Sequence, residues 1–119
     1  MSYPASYKMV TRQGASFRRV FTWTIDDEPV DLSLATAKMQ VRTKPSSDTV
    51  ILDATEYITL GGDEGTVDLD IPAGVLADIK PRSGSSFYVY DLEITVGDVV
   101  TTLLAGKFLV NPEVTRDEA

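Results

Sequence analysis

The sequence predicts an all-β, antiparallel sandwich of seven or eight strands with one short helix, and three observations predict it. Apolar and polar residues alternate with a period of two in one stretch after another, which is the pattern of strands that bury a single face. Turn-forming residues punctuate those stretches at short intervals, as they do in sandwiches and barrels. A helical pattern occurs once, over residues 73–80, so the crossover helices that an α/β fold requires have nowhere to form. The 119 residues suit one domain, and Phe17, Phe21, Trp23, Phe87 and Phe108 supply core material for it.

Three segments follow from this reading: an N-terminal basic arm over 1–15, the sandwich over 16–112 and a polar C-terminal tail over 113–119. In the first strand the odd positions Phe17, Phe21, Trp23 and Ile25 form an apolar face that Arg19 interrupts. Asp26-Asp27-Glu28-Pro29 then turns the chain. Ala37, Met39 and Val41 point one way and Lys38, Gln40 and Arg42 the other, before a loop at Lys44–Asp48. Val50–Leu52 and Tyr57–Leu60 are shorter strands, and Gly61–Gly65 is a turn. Thr66–Ile71 alternates without a fault, directing Val67, Leu69 and Ile71 inward until Pro72 stops the strand.

Leu76 and Ile79 share one face of the short helix, which Pro81 ends. Ser83-Gly84-Ser85 is a flexible connection. From Phe87 to Thr95 the positions Tyr88, Tyr90, Leu92 and Ile94 lie on one side. Gly97-Asp98 fits a tight hairpin turn into the strand Val99–Val110, where Gly106 marks a bulge or a close backbone approach.

The chain has no cysteine and no histidine. A thiol nucleophile, a Cys/His zinc site and a Ser-His-Asp triad are therefore excluded from this chain alone. No cofactor or metal is expected. Asp68 and Asp70 share a strand face, which the alternation explains as a solvated surface, and the acids at 26–31 lack the spacing of an EF-hand loop. No apolar run approaches the ~20 residues of a membrane span, so no membrane partner is expected.

Net charge is −7, which argues against a nucleic-acid partner. That charge is unevenly spread: residues 1–19 hold Lys8, Arg12, Arg18 and Arg19 and no acid, leaving 7 basic and 18 acidic residues beyond them. Tyr3, Tyr7, Lys8, Met9, Arg12, Arg18 and Arg19 are thus the expected partner-binding residues. The arm either pairs as an edge strand of its own domain or adds a strand to a neighbouring subunit, its positive charge meeting an acidic body.

Further runs carry a resemblance. Arg12-Gln13-Gly14-Ala15-Ser16-Phe17, Phe21-Thr22-Trp23, Pro29-Val30-Asp31-Leu32 and Ala37-Lys38-Met39-Gln40-Val41-Arg42 occur in that order. They are followed by Ile58-Thr59-Leu60-Gly61-Gly62, Gly65-Thr66-Val67, Ile71-Pro72-Ala73, Tyr88-Val89-Tyr90-Asp91-Leu92-Glu93 and Gly106-Lys107-Phe108. Over about residues 12–115 the chain resembles a family of small phage and prophage proteins. It is similar to the immunoglobulin-like N-terminal attachment domains of baseplate and receptor-binding-protein components. Arg19 departs from the apolar residue of that pattern.

The resemblance implies an immunoglobulin-like sandwich and no catalytic residue. It implies a non-enzymatic virion structural protein, an adaptor or decoration subunit of the tail, baseplate or head surface, assembled in the host cytoplasm. Its partners would be other phage structural proteins and, in a symmetric particle, further copies of itself. A carbohydrate-binding module for host recognition is the alternative, with Trp23, Tyr88 and Tyr90 as its aromatic residues.

Overall fold

The computed structural model describes residues 4–81, 87–112 and 114. Its strands are β1 (Ala5–Ser6), β2 (Met9–Arg12), β3 (Phe17–Thr22), β4 (Thr24–Ile25), β5 (Glu28–Pro29) and β6 (Ala35–Arg42). They continue as β7 (Val50–Asp53), β8 (Ile58–Leu60), β9 (Thr66–Ile71), β10 (Tyr88–Val96) and β11 (Val99–Asn111), with a helix α1 (Ala73–Ala77) between β9 and β10. Eight of these strands have three or more residues, within the seven or eight expected from the alternation.

The strands form two facing layers. The large sheet runs β1-β11-β10-β6-β7, with β2 also on β11, and the small sheet runs β3-β9-β8. The inward positions read from the sequence meet between them: Met39 and Val41 of β6, Val67, Leu69 and Ile71 of β9, and Leu92 of β10 are fully buried. Tyr88, Tyr90 and Ile94 join them, and Leu76 and Ile79 close the core from the α1 side. Each large apolar side chain so buried contributes roughly 1.5–3 kcal/mol.

Parallel pairing departs from the antiparallel expectation. β1 and β2 both run parallel to β11, with Ala5 opposite Leu104 and Met9 opposite Phe108. Residues 4–12 are therefore part of the domain's own sheet and not a projecting arm. The alternation of β2 explains why: Met9 and Thr11 face inward and are buried, and the Thr11 hydroxyl donates to the Leu109 carbonyl at 2.8 Å. Of the tail over 113–119 only Val114 is described, and Ser83-Gly84-Ser85 also lies outside the described residues.

Gly106 is a close-approach point. A Cβ there would stand 2.5 Å from the Tyr7 carbonyl oxygen, so only glycine lets the backbone of residue 7 lie against β11. The bulge sits elsewhere: the β10–β11 register shifts between Leu92 and Glu93, whose partners are Leu104 and Thr102. The extra residue, Leu103, is buried alongside Leu104.

Two turns refine the sequence reading. Asp26 and Asp27 have φ of 53° and 67°, and they join β4 to β5 as the two central residues of a hairpin loop. Positive φ at both positions is the type I′ turn, which aspartate tolerates better than most residues. This hairpin carries Ile25 out to solvent, so Ile25 does not continue the inward face of Phe17 and Trp23 as expected. Gly97, at φ 59°, begins the two-residue turn between β10 and β11. Among the described residues no helix is long and apolar enough to cross a membrane.

Candidate interaction surface

The residues expected to meet a partner gather along one side of the sandwich, where β1, β2 and β3 lie close together. Most of them are engaged within their own domain. The backbone N–H of Tyr7 donates to the Ala105 carbonyl at 3.1 Å, and its own carbonyl accepts the Tyr90 hydroxyl at 2.6 Å. Its ring packs edge-on against Phe21, with centroids 5.2 Å apart. Burial pushes the Tyr90 hydroxyl above the ordinary tyrosine range, which keeps it a neutral donor to that carbonyl.

Met9 is fully buried, so its side chain faces the core and no partner can reach it in the folded domain. Arg12 is exposed and donates to the Pro112 carbonyl, joining the end of β2 to the end of β11. Lys8 is exposed. Tyr3 lies outside the described residues.

Arg18 and Arg19 guard β3. This strand pairs with β9 on one side, and among the described residues it has no strand on the other. Exposed edges of this kind invite pairing with other chains, and charged side chains discourage it. Arg18 reaches across to β9 and grips Asp68 through Nε at 3.1 Å and Nη2 at 2.7 Å. That fork holds the Asp68 carboxyl below the usual carboxylate range.

Arg19 resolves its own departure from the alternation. It occupies an inward register position, but at the margin of the sandwich its guanidinium can turn out to water. It stacks over the Phe17 ring at 4.5 Å, donates to the Tyr7 hydroxyl and caps the Arg18 carbonyl at 2.8 Å. Asp70 is exposed near the C-terminal end of β9, and the Asp68–Asp70 pair is thus half consumed by an ion pair. Trp23, Tyr88 and Tyr90, the aromatic residues of the carbohydrate-binding alternative, belong to the buried core.

One feature escaped the sequence reading. The outer face of the large sheet holds a shallow hollow of about 590 Å³, floored by Val89 and Asp91 and flanked by Lys38, Arg42 and Lys107. Lys107 lies over the Phe87 ring at 4.5 Å. The outward positions of β6, β10 and β11 were each visible in the alternation, but their side-by-side placement depends on the register Glu93 to Lys38 and Val89 to Lys107. Among the described residues no three acidic side chains converge as a metal site.

No protein-family model matches this chain, and no curated protein matches it by sequence. Solved structures do resemble it. A crystal structure of a chicken TCR superposes with a TM-score of 0.52 at 12% identity, covering 92% of this chain and 55% of that one. This chain thus spans about half the length of that receptor chain. A structure from work on cell-adhesive interactions of VGSC beta subunits gives a TM-score of 0.47 at 10% identity, over 88% of this chain and 91% of that one.

The strand orders agree with the receptor likeness. β11-β10-β6-β7 and β3-β9-β8 are the G-F-C-C′ and B-E-D orders of a variable-type immunoglobulin domain. The tyrosine corner of that fold is present as well, since the Tyr88 hydroxyl at the start of β10 donates to the Lys80 carbonyl at 2.6 Å. The inter-sheet disulfide is not, because the chain has no cysteine. The fold is an immunoglobulin-like β-sandwich.

Proposed function

We propose that the chain is a non-enzymatic structural subunit of a tailed-phage particle, an adaptor or decoration domain that attaches one particle component to another. The observation that carries this reading is the ordered set of motifs between residues 12 and 115 that resembles phage attachment domains. The immunoglobulin-like sandwich is the fold such a domain needs. Further support comes from the polar side chains, which serve the fold: Arg18 and Arg19 guard an edge, and Asp31 and Asp53 accept hydrogen bonds from Ser33 and Thr55 in turns. The partners are other particle proteins and further copies of this chain, and the place of work is the virion.

The test is fractionation of a phage-producing lysate on a density gradient, with the chain followed by mass spectrometry. It should migrate with assembled particles and stay with them through a high-salt wash. Recovery only among free proteins, with particles complete without it, would overturn the reading.

A further inference from the structure

The two ends of the sandwich differ in chemistry. The register places the β3–β6 connection, the β8–β9 turn and the β10–β11 turn at one end, which we call the upper end. The β2–β3 turn, the β6–β7 loop, the α1 region and the end of β11 lie at the other. β11 has 13 residues and so spans roughly 43 Å at ~3.3 Å per residue. The strands therefore run along the 48 Å axis of the molecule.

Five of the nine exposed large apolar side chains among the described residues lie at the upper end. Leu34 is 89% exposed, Val99 66% and Val100 56%, and Ile25 and Val96 are also open to solvent. Val96 lies opposite Ala35, which sets Leu34 beside the β10–β11 turn. Acids rim these residues: Asp26, Asp27, Glu28 and Asp31 before β6, Asp63 and Glu64 before β9, and Asp98 in the last turn. No lysine or arginine occurs in 23–34, 61–65 or 96–100. At the lower end the balance reverses: Arg18 is paired with Asp68, and Arg12, Arg42, Lys44, Lys80 and Lys107 outnumber Asp48, Asp70 and Asp78 among the described residues.

We infer that the upper end is a contact surface whose partner is the lower end of a second copy of this chain. An apolar centre with a rim of one sign, facing a surface of the opposite sign, is the arrangement of a steered interface. The 30 × 23 Å cross-section of the molecule is of the order of the ~800 Å² per partner that a standard interface buries. Because the two surfaces differ, the contact is heterologous and head-to-tail, and it builds rings or stacks instead of two-fold dimers. This deepens the particle reading and rests on it for the expectation that copies meet, whereas the surface is argued from the domain alone.

Analytical ultracentrifugation of the full chain tests it, at low and high salt, with circular dichroism to verify folding of each variant. The wild-type mass should exceed 13.0 kDa and rise with concentration at low salt, then fall as salt screens the rim charges. Glu28→Lys with Asp98→Lys reverses the upper rim, and Lys44→Glu with Lys80→Glu reverses the lower end. Each double variant alone should associate at least roughly tenfold more weakly, and an equimolar mixture of the two should recover. Leu34→Ser should weaken association without altering its salt dependence.

A wild-type chain that stays monomeric throughout, or association that persists in both reversed variants, would overturn the inference. A chain that is monomeric alone yet migrates with particles overturns this contact and leaves the particle reading standing. Head-to-tail association by a chain missing from particles does the reverse.

Discussion

Two neighbouring edges of this sandwich are closed by different means. On the large sheet, β1 and β2 cover the edge of β11 with backbone hydrogen bonds, at the expense of a glycine at position 106. On the small sheet, β3 keeps an open edge that Arg18 and Arg19 shield with side chains. The contrast teaches that residues 4–12 contribute through backbone and core, and the next few through charge. Basic residues that look continuous in the sequence therefore belong to two separate devices.

Breaking the backbone-closed edge should have the larger effect. Met9→Ala empties a fully buried site opposite Phe108, and chemical denaturation should show a loss of about 2–5 kcal/mol. Gly106→Ala places a methyl group against the Tyr7 carbonyl, and the segment must shift to admit it. A loss of about 1–3 kcal/mol is expected, with faster amide hydrogen exchange confined to β1, β2 and the adjoining part of β11. Unchanged protection there would refute the close-approach account.

Tyr90→Phe removes one buried hydrogen bond and leaves the Tyr7 carbonyl without that donor, so about 1 kcal/mol should be lost. The smallest change is expected at the charged edge. Arg18→Ala severs an exposed ion pair, and its midpoint in denaturant should stay close to wild type. Its signature is aggregation instead, because the edge of β3 loses a guard; light scattering at high concentration is the measurement.

Acid sharpens the same comparison. Asp31, Asp53 and Asp68 have folded-state pKa values below their ordinary ones, through hydrogen bonds from Ser33, Thr55 and Arg18 respectively. Depressed carboxylates contribute stability that is complete above the unfolded pKa of ~3.9 and is lost as pH falls through the folded value. Stability should therefore be flat from neutral pH down to about 5 and decline below about 4. In Arg18→Ala the decline should be shallower, since Asp68 then has no partner holding it ionised.

Much of the fold was legible because period-two alternation is local. Val67, Leu69 and Ile71, and Tyr88, Tyr90, Leu92 and Ile94, declared their inward faces through spacing alone, and Pro72 and Gly97 marked the ends of strands. Ile25 misled because the same alternation continues into a hairpin that leaves the core. The interaction surface was far less legible. Tyr7, Met9, Arg12, Arg18 and Arg19 form a plausible basic and aromatic patch as text, yet their hydrogen bonds and burial reach Ala105, Pro112 and Asp68.

By itself, then, the sequence determined most of the strands from residue 35 onward, the apolar faces of those strands, and that histidine and cysteine chemistry is closed to this chain. The tertiary structure alone decided which strands are partners. Thr11 and Leu109 are 98 residues apart, and no local periodicity specifies that β2 runs parallel to β11. Strand partnership follows from long-range packing of faces, and with it came both the use of the first strand within its own domain and the gathering of acids from three separate turns at one end.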